Sequence, residues 1–128
     1  MARILVVDDS PTELQAARSA LEADNHVVMT ENTANGGIEA AKKNRPDLIL
    51  MDVVFDGMSG FQGTRKLSRD EETAGIPVII VSSKNQEADR IWGLRQGAVE
   101  YLVKPVPADK LRNTVNEVLK NRGAQRSG

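Results

Sequence analysis

Apolar residues along this chain gather into five short runs, and the segments between the runs carry apolar positions three and four residues apart. The runs are Ile4-Leu5-Val6-Val7, Val27-Val28-Met29, Leu48-Ile49-Leu50-Met51, Val78-Ile79-Ile80-Val81 and Tyr101-Leu102-Val103. Unbroken runs of this length, rich in β-branched residues, read as strands buried on both faces. The intervening segments read as helices. Ser10-Pro11-Thr12-Glu13 has the form of a helix start: Ser10 can cap, Pro11 suits the first turn and Glu13 completes a capping box. Leu14, Ala17 and Leu21 then carry the first helix to about Ala23. A second helix is expected from Ala34 to Asn44 with Ile38 and Ala41 inward, a third from about Phe61 to Arg69, and a fourth from Asn85 to Gln96, closed by Gly97. Leu111, Val115, Val118 and Leu119 mark the inner face of a fifth.

Strict alternation of strand and helix predicts an α/β fold, with five parallel strands and helices on both faces of the sheet. Right-handed crossovers leave few topologies, and at this size the expected strand order is 2-1-3-4-5. The 128 residues are enough for one well-packed domain, expected over residues 1–121, followed by a polar, flexible tail over 122–128. No internal repeat or linker interrupts it.

The polar residues that close the apolar runs carry the chemistry. Asp8 and Asp9 follow strand one, Asp52 follows strand three, Ser82 follows strand four and Lys104 follows strand five. In a parallel sheet these ends share one edge, and the order 2-1-3-4-5 sets strands one and three side by side where ligands bind. Three carboxylates crowded together raise the cost of ionising each other, and a hard divalent cation relieves that. Magnesium, or manganese, suits oxygen ligands and readily shares its shell with a phosphoryl oxygen. With the cation and Lys104 screening an approaching phosphoryl group, Asp52 becomes a plausible nucleophile, since carboxylates form aspartyl-phosphate intermediates. Blander roles exist for each residue alone: Asp9 as a helix-start charge, Ser82 and Lys104 as loop groups. Agreement among four strand ends outweighs them.

Composition removes other classes. Lys plus Arg number 17 against 18 Asp plus Glu, so no strong field draws the chain to nucleic acid or to a membrane surface. There is no cysteine, hence no thiol chemistry, and no apolar run approaches the length of a membrane span. With no signal-peptide pattern at the start, a cytoplasmic location is expected. The single histidine, His26, lies in a turn before strand two and is expected at the surface, without a catalytic role. No phosphate-binding Gly-x-x-x-x-Gly-Lys-Ser/Thr loop is present. Arg65, Lys66, Arg69, Asp70, Glu71 and Glu72 mix signs and read as a solvated helix end. Trp92 has two readings, packed against the core or exposed for a partner.

Val6-Val7-Asp8-Asp9-Ser10, Leu50-Met51-Asp52, Ile80-Val81-Ser82 and Tyr101-Leu102-Val103-Lys104-Pro105 together resemble the response-regulator receiver domain, the CheY-like family of two-component signalling. The resemblance spans roughly Arg3 to Leu119. Met58-Ser59-Gly60-Phe61-Gln62 and Trp92-Gly93-Leu94-Arg95-Gln96-Gly97-Ala98 further resemble the single-domain, PilH-like regulators of twitching motility. The resemblance implies that Asp52 accepts a phosphoryl group from a histidine kinase or its phosphotransfer domain. It implies that Asp9 and Asp52 bind magnesium directly, that Asp8 helps through water, and that the main-chain carbonyl of Val54 completes the protein ligands. Lys104 would contact the phosphoryl oxygens, Ser82 would move to hydrogen-bond one of them, and Tyr101 would change rotamer. The Lys104-Pro105 bond would be cis. Helix four, strand five and helix five would form the face for an output protein, with no DNA-binding output domain expected after them.

Two residues depart from the family pattern. Asp56 stands before Gly57 where a proline is common, and Val54 is apolar where many members place a polar side chain. Within the family, a phosphate-sink role competes with an output switch. Outside it, a haloacid-dehalogenase-like phosphohydrolase would carry an acid/base Asp two positions after the nucleophile, where this chain has Val54. A flavodoxin-like cofactor carrier is disfavoured by an aromatic content of 3% and by the acidic edge.

Overall fold

The computed structural model describes residues 1–127, with side chains through Arg122. The tail expected over 122–128 lies, past Arg122, outside those side chains. In chain order the elements are β1 (Arg3–Val7), α1 (Pro11–Glu22), β2 (Val27–Glu31), α2 (Ala34–Asn44), β3 (Leu48–Met51), α3 (Gly60–Arg69), β4 (Val78–Ser82), α4 (Glu87–Arg95), β5 (Glu100–Val103) and α5 (Ala108–Ser127). The five strands form one sheet in the order β2-β1-β3-β4-β5, every pair parallel, as the alternation requires.

β3 is the centre of this arrangement. Leu48, Ile49, Leu50 and Met51 are all buried, and alternate residues face opposite layers. Leu48 and Leu50 join Ile4, Val6, Leu21, Leu111 and Val115 under α1 and α5. Ile49 and Met51 join Leu5, Val7, Ile38 and Leu67 under α2 and α3. Burying an aliphatic side chain of this size contributes on the order of 2 kcal/mol, so the run holds both layers to one sheet.

Local chemistry moves some element ends. β2 runs two residues beyond the apolar run because Thr30 and Glu31 pair with Val6 and Val7, and an edge strand tolerates polar residues. α4 begins at Glu87 rather than Asn85, with the Gln86 N–H donating to the Asp89 carboxylate at 3.2 Å. At α1 only half of the expected capping box forms. Ser10 Oγ accepts from the Glu13 N–H at 3.3 Å, while the Ser10 N–H donates to Asp8 Oδ1 at 3.0 Å and leaves the Glu13 side chain free. A full capping box does start α3: Ser59 N–H donates to Gln62 Oε1 at 3.0 Å, and Gln62 N–H donates to Ser59 Oγ at 3.2 Å.

His26 is the clearest correction. It is buried, not a surface residue, and it ties together the edge of the sheet opposite the acidic strand ends. The Ala2 N–H donates to Nδ1 at 3.0 Å, so the ring hydrogen belongs on Nε2, which donates to Asn116 Oδ1 at 2.8 Å. Asn116 Nδ2 in turn donates to Asp24 Oδ2 at 2.7 Å. One imidazole thereby connects the chain start, the α1–β2 turn and α5. Replacing His26 by Ala would strand the Asn116 carbonyl and the Ala2 N–H, an expected loss of about 2 kcal/mol in urea unfolding. A double-mutant cycle with Asn116→Ala should show clear coupling, and independent effects would contradict the network.

Candidate functional site

Strand register delivers the acidic residues to one place. Val7 pairs with Met51, so the residues that follow them, Asp8 and Asp52, emerge side by side. The ladder continues past the strands: Asp8 N–H donates to the Glu31 carbonyl at 3.0 Å, Asp52 N–H to the Val7 carbonyl at 2.9 Å, and Lys104 N–H to the Ser82 carbonyl at 2.9 Å. Backbone hydrogen bonds therefore fix the roots of Asp8, Asp52 and Lys104 before any side chain interacts. Asp8, Asp9 and Asp52 each bring a carboxylate oxygen within 4.8 Å of the others, Asp9 from an exposed position and the other two buried. The donor set is hard oxygen only, with no histidine or thiol, which fits magnesium or manganese rather than a softer metal.

Lys104 supplies the counter-charge. Its Nζ lies 2.8 Å from Asp8 Oδ2 and 3.6 Å from Asp52 Oδ2, with Glu13 Oε2 at 4.0 Å. Sequence pattern predicts only a capping role for Glu13. Its freed side chain instead adds a fourth carboxylate to the rim. Burial alone would push the Lys104 ammonium down, but the hydrogen bond to Asp8 and the charges of Asp52, Asp8 and Glu13 hold it above its ordinary range. Burial pushes the Asp52 carboxyl up. The bond that Oδ1 accepts from the Val53 N–H opposes this, the Asp8 charge reinforces it, Lys104 draws it back and Asp9 adds to the rise.

The loop beyond Asp52 is cinched. Gly60 N–H donates to the Val53 carbonyl at 2.8 Å, closing residues 53–60 on themselves. Any side chain at Gly60 would set its first carbon 1.6 Å from the Asp52 carbonyl oxygen, so the start of α3 rests directly on the backbone of Asp52. Val53 is buried and Phe55 and Met58 pack on the α2–α3 side of the core, whereas Val54 is 57% exposed. The Val54 side chain thus stands free beside the acidic cluster.

Ser82 is fully buried at the end of β4, two residues beyond Ile80, the partner of Met51, and its Oγ accepts from the Lys84 N–H at 3.1 Å. Tyr101 pairs with Ile80 on β5, and its hydroxyl donates to the Lys84 carbonyl at 2.8 Å. Ser82 and Tyr101 are therefore joined through the β4–α4 loop. Burial holds the Tyr101 phenol above its ordinary range, in the same direction as its role as a donor to the carbonyl. The ring fits because α4 presents Gly93 to it: a Cβ there would meet Tyr101 Cδ2 at 3.0 Å and Ile80 Cδ1 at 2.9 Å. Trp92, next to this contact, points away and is 49% exposed, as are Ile91 and Val103 to a similar degree. The Lys104-Pro105 bond is cis.

The family model described as the response regulator receiver domain matches residues 4–116. The chain belongs to the response regulator receiver family. A curated relative, protein PilH of Pseudomonas aeruginosa, is 50% identical over 119 residues, covering 93% of this chain and 98% of that protein. The response regulator PleD of Caulobacter vibrioides is 39% identical over 105 residues, which make up 82% of this chain but 23% of PleD. Among solved structures, a CheY-like receiver domain protein from Methanospirillum hungatei superposes with a TM-score of 0.91 at 26% identity, covering 98% of each chain. This receiver is a switch domain of two-component signalling, similar over 93% of its length to the single-domain PilH. No helix among the described residues is long and apolar enough to cross a membrane.

The crowding at this edge has a measurable cost. In the presence of a chelator, Asp52→Asn should raise stability by about 1 kcal/mol, the size of a typical stabilising substitution. Because the folded Asp52 carboxyl is shifted up, the wild-type penalty exists only where that group is ionised. The gain should shrink as pH falls through the carboxylate range. A variant no more stable than wild type at neutral pH would show that Lys104 already neutralises the edge.

Proposed function

We propose that Asp52 is the phosphoacceptor of this receiver and that magnesium or manganese, held by Asp8, Asp9, Asp52 and the main-chain carbonyl of Val54, assists the transfer. The observation that supports it is the convergence of three carboxylates within 4.8 Å around a buried strand end, with Lys104 Nζ placed between Asp8 and Asp52. When bound, the cation would neutralise charge on the phosphoryl oxygens and on the carboxylates. A carboxylate oxygen of Asp52 attacks phosphorus, and the bond from phosphorus to the donor's imidazole nitrogen breaks. The electron pair leaves with that nitrogen. The product is an acyl phosphate on Asp52. Lys104, released from part of its pairing with Asp8, accompanies the new phosphoryl oxygens.

The phosphoryl group adds charge and acceptors at a site where Ser82 is the nearest buried hydroxyl along β4. Ser82 turning toward it would give up the bond from the Lys84 N–H. The loop that also accepts the Tyr101 hydroxyl would shift with it, changing the surface of α4, β5 and α5 where Trp92, Ile91 and Val103 are exposed. That surface serves an output protein, and a histidine kinase or its phosphotransfer domain serves the acidic edge. The 50% identity to PilH over nearly the whole chain supports a place in type IV pilus motility or taxis, in a cytoplasmic pathway.

Incubation with acetyl phosphate and magnesium should add one phosphate by intact mass, and Asp52→Asn should abolish the adduct. Repeated turnover of phosphoesters without an adduct would replace the switch by a phosphohydrolase. The exposed, aliphatic Val54 offers an attacking water no hydrogen bond, so the acyl phosphate should be long-lived. Val54→Asn should shorten its lifetime about tenfold, equivalent to about 1.4 kcal/mol on the barrier. Loss of the wild-type phosphate within seconds would dismiss this role for Val54.

A further inference from the structure

Away from the acidic edge, α2 and α3 run beside each other and leave a groove of about 790 Å³ between them. α2 lines it with Asn35, Ile38, Glu39 and Lys42, and α3 with Gln62, Arg65, Lys66 and Arg69. Both sets follow the spacing i, i+3, i+4, i+7, so each helix gives the groove one continuous stripe about 11 Å long. Ile38 forms the buried floor. The Lys42–Asp70 ion pair, at 3.1 Å, joins the two walls at one end.

The charges of the walls are uneven. α3 contains three cations and no acidic residue, in a chain whose formal charge is −1, so the remaining residues sum to −4. Arg65, Lys66 and Arg69 are exposed and make no ion pair among the described residues. Arg65 and Arg69 stand one helical turn apart on the same stripe, and guanidinium groups engage carboxylates through paired hydrogen bonds. Opposite them, Glu39 is exposed, and Asp70 already holds Lys42. A continuous phosphate backbone would meet both carboxylates. A peptide can set acidic residues against α3 and a neutral or basic one against Glu39.

We propose that the α2–α3 groove is a docking site for an acidic helical segment of a partner protein, separate from the phosphorylation edge and from the α4, β5 and α5 surface. The segment lays acidic residues spaced one turn apart along Arg65 and Arg69, with Lys66 flanking them and an apolar side chain over Ile38. Affinity in such an exposed groove depends on charge, so it falls steeply with added salt.

The probe is a fluorescein-labelled, alanine-rich helical peptide with leucine and with glutamate at every fourth position, titrated by anisotropy against the full chain at low salt. Binding should be saturable, weaken at least tenfold for Arg65→Glu/Arg69→Glu, and vanish for the same peptide carrying glutamine. Lys110→Glu/Lys120→Glu changes the net charge equally on exposed parts of α5, and should leave binding within about twofold. Equal loss in that control, or equal binding of the glutamine peptide, would overturn the proposal. So would tighter binding of inorganic polyphosphate or single-stranded DNA through Arg65 and Arg69, which would make the groove a phosphate site. Circular dichroism and acetyl-phosphate labelling of each variant, both expected to match wild type, separate a failed groove from a failed fold or a failed phosphoacceptor.

Discussion

Asp8, Asp9 and Asp52 repel one another across less than 5 Å, and one ammonium cannot neutralise all three. The rest of the fold exists to hold that unfavourable grouping in place. Two carboxylates are buried at the ends of neighbouring strands, and their backbones are locked by hydrogen bonds to the next strand, so they cannot relax apart. The free energy that keeps them together comes from the apolar layers above and below β3. A site assembled against its own electrostatics responds strongly to whatever cancels the charge, and this is the property a switch requires.

The same rigidity separates the sheet's two edges. At one edge the strands end in Asp8, Asp52, Ser82 and Lys104. At the other, the chain start, the α1–β2 turn and α5 are sewn together by His26, Asn116 and Asp24. Polar groups are buried at both edges but differ in balance. Every hydrogen bond in the His26 network has a matched donor and acceptor, whereas the acidic edge is left with surplus acceptors and surplus charge. The first arrangement suits permanence and the second suits binding.

The strands, the topology and the acidic cluster were legible because each depends on short-range pattern: an apolar run, a cap, a polar residue at the run's end. β3 and α2 carry boundaries that match their patterns, and the convergence of Asp8, Asp9, Asp52 and Lys104 follows from parallel register alone. His26 was misread because its partners lie at residues 2 and 116, beyond any local window, and its neighbours Asp24 and Asn25 are polar. Glu13 was misassigned because the capping pattern is real but Asp8 competes for the Ser10 N–H. The full cap on α3 went unread, although its Ser59-x-x-Gln62 spacing lies in the sequence. Trp92 could not be assigned from spacing, since Gly93 rather than a large residue faces the core from α4.

Gly60 gives the loop after Asp52 a particular kind of freedom. Its contact with the Asp52 carbonyl and its hydrogen bond to Val53 clamp the segment, and Phe55 and Met58 anchor it to the core, so the start of α3 does not depend on the exposed residues between. Val54, Asp56 and Gly57 are exposed within that clamp. Substitutions at Val54 and Asp56 alter what water meets just past Asp52 without moving a helix. On the proposed role of Asp52, a lineage can thus reset the lifetime of its phosphoryl group one residue at a time while the architecture stays fixed.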